Sequence, residues 1–269
     1  GLSAALAAAD RGASVTLIDD QPRLGGHLSF NAGAYRNIPG SGEASGIDVA
    51  GRLSRPVEES SSIQVMADAT VFGYYQDNLL GILQGNEVVK LRAKRVVLAT
   101  GSYEAPLLFE NNDLPGIMLT SAAQRLIRHY GVRPGKRAIV ATCNDQGYQA
   151  ALDLLEAGVD VAAVVDARPE IPPLLEAAGV LRSQGITLLG SHAISRAEGR
   201  KKVRAVTLTR LEGGEPAGEA GRFRCDLVCM SGGFQPANAL FYQAGGSLGY
   251  DDALGEAVPQ ELPPGLFAA

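Results

Sequence analysis

The sequence predicts an α/β chain of two Rossmann-like domains, the second inserted in the first, and three observations carry that expectation. A glycine is followed at once by an alanine-rich helical pattern and a short apolar strand that ends in two aspartates, GLSAALAAADRGASVTLIDD. The apolar run Val96-Val97-Leu98-Ala99 leads into Thr100-Gly101, as a strand buried on both faces does. In mid-chain, RAIVATCNDQGYQAALDLLEAGVDVAAVVD repeats the first pattern as strand, turn, helix and strand.

Each element follows from local pattern. Leu2, Ala5, Leu6 and Ala9 recur at helical spacing, which predicts a helix over Leu2 to Arg11, broken at Gly12. The strand Val15–Ile18 then ends at Asp19 and Asp20. In a complete dinucleotide-binding βαβ unit a first strand leads into G-x-G-x-x-G, whose glycines let a pyrophosphate approach the helix N-terminus. An acidic residue about 20 positions on takes the ribose hydroxyls. Gly1 fits the last glycine of that motif and Asp19 lies 18 residues later, so the chain is expected to be cut inside its own phosphate loop. Gly25 and Gly26 are expected to expose backbone N–H groups beside a cofactor, and Thr100 and Gly101 to border it.

The stretch NAGAYRNIPGSGEASGID reads as loop, and Val49 to Ser60 as helix. Strands are expected over Ile63–Phe72, Leu79–Gln84 and Val88–Leu91, a β-meander in which Val71 joins Gly1, Asp19, Asp20, Gly25, Gly26, Thr100 and Gly101 as a candidate cofactor contact. Pro106 to Pro115 reads as a linker and Thr120–Tyr130 as a helix. In the second βαβ unit, strands Arg137–Ala141 and Val161–Val165 flank a helix over Tyr148–Ala157. Thr142, Asn144 and Gly147 hold the three glycine places, and Asp166 follows Gly147 by 19 residues. A side chain at Asn144 crowds the position where backbone should meet pyrophosphate, so the architecture repeats and the phosphate turn does not.

Beyond it come a helix at Pro173–Ser183, strands near Ile186–Ser191 and Val203–Leu211, the hairpin-like EGGEPAGEAG, the buried strand of CDLVCMSGGFQP and a last strand in LPPGLFAA. The expected division is residues 1–113 with 222–269 as the first domain and residues 114–221 as the inserted one. The strand at the centre of the first sheet is expected to be missing, which leaves unpaired edges and a tendency to aggregate or lean on neighbouring chain.

Composition narrows the function classes. The 269 residues carry 46% hydrophobic side chains, 33 glycines and no Trp, which suits small-residue layers around parallel strands. A net charge of −5 gives no basic footprint for nucleic acid, and no apolar run reaches membrane-spanning length. Cys143, Cys225 and Cys229 form no C-x-x-C pair and read as buried small hydrophobes, the last two on one strand face. His27, His129 and His192 lack metal-ligand spacing, and no metal site is expected. Glu104, Glu110 and Asp113 read as solvated or hydrogen-bonded loop carboxylates and Tyr74-Tyr75 as packing residues, so no catalytic set emerges.

The run from ATGSYEAPLLFENNDLPGIM through TCNDQG to VVDARP, with DATVFGYY and DLVCMSGGFQP, resembles the alpha subunits of heterotetrameric sarcosine oxidase over nearly the whole chain. Alpha-type subunits of opine oxidases, amino-acid dehydrogenases and cyanide-forming enzymes share the general layout. The resemblance implies a glutathione-reductase-like fold that holds a dinucleotide, NAD in preference to FAD, with Asp19 on the ribose and Gly1 at the pyrophosphate. It also implies partners, namely further small subunits and a flavin-bearing beta subunit, with an FMN at an interface, a small-molecule amine substrate, and a cytoplasmic location. The competing expectation is a self-sufficient FAD and NAD(P)H-dependent, disulfide-reductase-like oxidoreductase, against which the altered TCNDQG turn counts. A redox-inert interaction module is the third.

Overall fold

The structure is a computed structural model that describes residues 1–38, 42–172, 175–253 and 255–268. The chain divides into two compact units, Gly1–Tyr103 with Gln235–Ala269, and Glu104–Phe234. The sequence-based division placed these crossings later on the way out, after 113, and earlier on the return, before 222.

In the discontinuous unit the helix Leu2–Ala9 precedes the strand Val15–Ile18, which pairs in parallel with Ile63–Met66. Between those strands lies the helix Gly46–Glu59. It starts three residues before the expected Val49 because Ser45 caps it, its Oγ accepting from the Asp48 N–H at 3.1 Å. Ala5, Leu24, Val57 and Ile63 form the core under this half. Asp68, at φ +49°, ends the strand and splits the run expected as one piece into Ile63–Met66 and Ala69–Tyr75. Ala69–Tyr75, Leu79–Gln84 and Glu87–Arg92 then form the antiparallel meander. Its inner face, with Tyr74 and Ile82, packs on Met66, Val96, Leu98, Phe241 and Leu266. Tyr74 is buried as expected, whereas Tyr75 turns outward.

Val96–Leu98 pairs in parallel with Leu266–Ala268. Among the described residues no strand joins this pair to the Val15–Ile18 pair. The stretch read as loop contains an antiparallel pair, Ala34–Ile38 with Gly42–Ser45. Its Gly- and Ser-rich composition hid a ladder that needs only backbone; residues 39–41 of that stretch lie outside the described residues. The helix Ala239–Gln243 and the hairpin Ser247–Asp251 with Glu256–Glu261 also had no sequence signal strong enough to place them.

The continuous unit is built on a five-stranded parallel sheet in the order Ile117–Leu119, Leu227–Ser231, Arg137–Thr142, Asp160–Asp166 and Thr187–Leu189. Alternation along the strands separates two cores. Val140, Val164, Leu227 and Cys229 meet the helices Thr120–Tyr130, Gln146–Glu156 and Glu176–Ser183 through Ala123, Tyr148, Leu154 and Leu181. Ile139, Ala141, Val165 and Val228 face Ile194, Val206 and Leu208 of an antiparallel sheet, His192–Gly199, Val203–Glu212 and Glu215–Arg224. The strand His192–Gly199 was missed because it offers only Ile194 and Ala197 to the core. The helix expected from Pro173 begins at Glu176, and residues 173–174 lie outside the described residues.

Leu227–Ser231 pairs with both Ile117–Leu119 and Arg137–Thr142, which settles it in this unit. Cys225 and Cys229 are buried but on opposite faces, not one as expected. Asp226 interrupts the alternation: its Oδ1 accepts from the N–H groups of Lys136 and Arg137 before the strand begins at Leu227.

Candidate functional site

The first unit brings several of the expected contacts to one place. Gly1 caps the helix Leu2–Ala9, its carbonyl accepting from the Ala5 N–H at 3.0 Å, and the first turn carries no acidic side chain to offset the positive end of the helix dipole. A Cβ built on Gly1 would lie 3.7 Å from that of Ala99, so this helix start abuts the end of Val96–Leu98. There the Thr100 hydroxyl donates to the Ala237 carbonyl at 2.9 Å and Gly101, at φ +67°, accepts from the Ala237 N–H. Thr100 is thereby committed to holding the strand end, and Gly101 to turning it.

Asp19 is fixed at the tip of Val15–Ile18 by backbone bonds to Met66 and Ala69. Its half-buried Oδ1 accepts from the Gln21 N–H at 2.9 Å. Burial raises the carboxyl above its ordinary value, the Gln21 N–H works against the rise, and the Asp20 charge adds to it. Asp20 points to solvent and accepts from the Gln21 side chain.

Gly25 has two reasons to be glycine: φ is +118°, and a Cβ would meet that of Ala50 at 2.8 Å. Gly26, at φ +54°, has open space where its Cβ would be. His27 stands against Phe30, ring centroids 5.6 Å apart. Val71 pairs with Ile82 and packs, half-buried, on the cluster that contains Val96 and Leu98.

The second turn is built differently. Gly147 is required for close packing of helix on strand, since a Cβ there would collide with that of Thr142. Asn144 reaches across the sheet: its Nδ2 donates to the Ser231 carbonyl at 3.2 Å and its Oδ1 accepts from the Ser231 hydroxyl at 3.1 Å. Asp166, at the place equivalent to Asp19, is wholly buried and accepts from the Tyr148 hydroxyl at 2.8 Å and from the Arg168 guanidinium. Arg168 also donates to Asp145 at 2.7 Å. Burial, then Asp166, drives the Tyr148 phenol well above its ordinary range. Arg168 escaped the sequence reading, although VVDARP placed it two residues from the strand tip.

The three cysteines are free thiols. Burial pushes Cys225 up to about 12 and raises Cys143 and Cys229 as well, so none is poised as a thiolate. Among the described residues no group of His, Cys, Asp or Glu has the arrangement of a metal site. Glu104, expected in a loop, is buried and caps the helix Thr120–Tyr130, accepting from Thr120 and from the Ser121 N–H.

The model of the family described as pyridine nucleotide-disulphide oxidoreductase matches residues 1–255. The chain belongs to that family. Within it, the chain is 35% identical over 278 aligned positions to the alpha subunit of sarcosine oxidase from Corynebacterium sp. (strain U-96), covering 97% of this chain and 28% of that protein. It is 31% identical to an opine oxidase subunit from Rhizobium meliloti, over 62% of this chain and 33% of that one. The chain therefore spans about a third or less of these relatives. Among solved structures, the thioredoxin reductase of T. acidophilum superposes with a TM-score of 0.77 at 20% identity, over 100% of this chain and 85% of that one. Two Rossmann-like domains in the arrangement of FAD/NAD(P)-dependent oxidoreductases are thus the fold of this family member. No helix among its described residues is long and apolar enough to cross a membrane.

Proposed function

We propose that this chain is the dinucleotide-binding part of an alpha-type subunit in a multi-subunit amine oxidoreductase, on the pattern of sarcosine oxidase. The observation that carries the reading is the contrast between the two turns. The first presents a half-buried carboxylate, an unopposed helix N-terminus and a left-handed glycine under open space, and the second is filled by its own side chains. Likeness to the sarcosine oxidase alpha chain over 97% of this one supports the same assignment.

A dinucleotide fits the first turn. Asp19 would accept from ribose hydroxyls, with Asp20 its solvated neighbour, and the N–H groups that follow Gly1 would face the pyrophosphate. Gly25, Gly26, Thr100 and Gly101 would border it, and Val71 would back it from the meander. NAD is favoured over FAD. When bound it supplies a redox-capable nicotinamide, and this chain's own residues bind and orient it. Oxidation of the amine then belongs to a flavin-bearing partner subunit, with FMN at an interface and further small subunits completing a cytoplasmic hetero-oligomer. Three unpaired thiols agree with a reducing compartment.

The test is to purify the full-length protein with and without its co-expressed partners, and to release and identify the bound nucleotide by mass and absorbance. NAD without flavin on the lone full-length protein is expected. Stoichiometric FAD that NAD(P)H reduces would overturn the reading in favour of a self-sufficient reductase.

A further inference from the structure

We infer that Arg168 closes, from within the chain, the crevice in which a second dinucleotide would lie. This closure does not rest on the reading of the first turn above.

In an open α/β sheet a ligand lies beyond the carboxyl ends of the strands where the strand order reverses. In the continuous unit that point falls between Arg137–Thr142, whose chain continues outward to Asp160–Asp166, and Leu227–Ser231 on its other side. Three internal contacts occupy it. Asn144 and Ser231 exchange two hydrogen bonds across the gap. Asp166 accepts from the Arg168 N–H at 2.9 Å, from Arg168 Nε and Nη2 at 3.1 and 2.8 Å, and from Tyr148 at 2.8 Å. A carboxylate offers about four lone-pair sites, so this one has none left for ribose hydroxyls. The far end of the guanidinium is held by Asp145 at the start of the helix Gln146–Glu156.

The charge balance points the same way. One guanidinium set against two carboxylates leaves the turn net negative, and every donor of Arg168 named above is directed at a carboxylate. A pyrophosphate would meet repulsion where the first turn offers an unopposed helix N-terminus. Arg168 therefore acts as a positioning residue that takes the ligand's place, bridging strand tip and helix start as a bound ribose and phosphate would.

Hydrogen–deuterium exchange of the full chain, read by mass spectrometry with and without millimolar ADP-ribose, tests this directly. The reporters are the Cys143, Asn144, Ala167 and Arg168 amides, which bond to Ser231, Thr142, Thr142 and Asp166. In the wild type they are expected to exchange slowly and to be indifferent to ADP-ribose. In Arg168→Ala they should exchange at least tenfold faster, while the Leu227–Ser231 amides stay slow. Arg168→Lys keeps the charge but loses the fork, and should give a smaller acceleration confined to the same segments. Slowing of residues 142–149 by ADP-ribose in the wild type would overturn the inference, as would unchanged exchange in Arg168→Ala. Protection over residues 1–26 and 99–101 reports the first turn separately, and its absence would count against the proposed function alone.

Discussion

Asp19 and Asp166 stand at equivalent strand tips in different surroundings. Asp166 is saturated by Tyr148 and Arg168, whereas Asp19 commits its Oδ1 to the Gln21 N–H and carries a raised carboxyl. Because the folded value lies above the ordinary 3.8, Asp19 contributes stability that is fully present below 3.8 and is lost as pH rises through the higher folded value. Asp19→Asn removes that dependence. Relative to the wild type it should become more stable as the pH is raised across that window, which urea titrations at a series of pH values measure. The same substitution should weaken ADP-ribose binding by at least tenfold, by calorimetry. Better stability with lost binding is the mark of a carboxylate kept for a ligand. The position of Asp19 at a strand tip followed from spacing alone. The placement of Arg168 did not, because nothing in a linear sequence says that a surface-type residue folds back onto a carboxylate two positions away.

At the scale of elements, two packing contacts hold the inserted sheet and its helices. The helix Gln146–Glu156 approaches its strand at Gly147, where a Cβ would collide with the buried, β-branched Thr142. Gly147→Ala should cost about 1–3 kcal/mol in chemical denaturation, as overpacking in a closed core does. The same helix joins Thr120–Tyr130 through buried Asp153, which accepts from Gln124 at 2.6 Å and from Arg128 at 2.7 Å, and Arg128 also holds Glu156. Arg128→Ala leaves a buried carboxylate without its cation and should destabilise by about 3 kcal/mol. Arg128→Ala with Asp153→Asn should recover part of that loss. Sequence periodicity located both helices to within two residues, yet gave no hint of this pairing, which joins side chains on two different helices.

At the scale of the molecule, Glu104–Phe234 is continuous in sequence, and its ends meet: Ala105 donates to the Gly233 carbonyl at 2.8 Å and accepts from the Gly232 N–H at 3.1 Å. With adjacent ends and its own two-sided core, the unit meets the conditions for folding alone. Residues 104–234 expressed by themselves should melt in one cooperative transition by circular dichroism and show no ADP-ribose binding. A broad, non-cooperative melt would show that the rest of the chain is needed.

The sequence by itself determined the fold class, the βαβ repeat, most helices and strands, the candidate ribose carboxylate and the alteration of the second turn. Those features rest on local periodicity, glycine and proline placement and motif spacing, which act within a few residues of one another. Only the tertiary structure decided that Leu227–Ser231 belongs to the inserted sheet, that Cys225 and Cys229 face opposite cores, that the loop after Phe30 carries a strand pair, and that Arg168 fills the second crevice. Each of these depends on strand pairing or side-chain contact between residues brought together by folding. The physical reason is that register and burial are fixed by the partner across the sheet or beneath the helix, and that partner is absent from any local window of sequence.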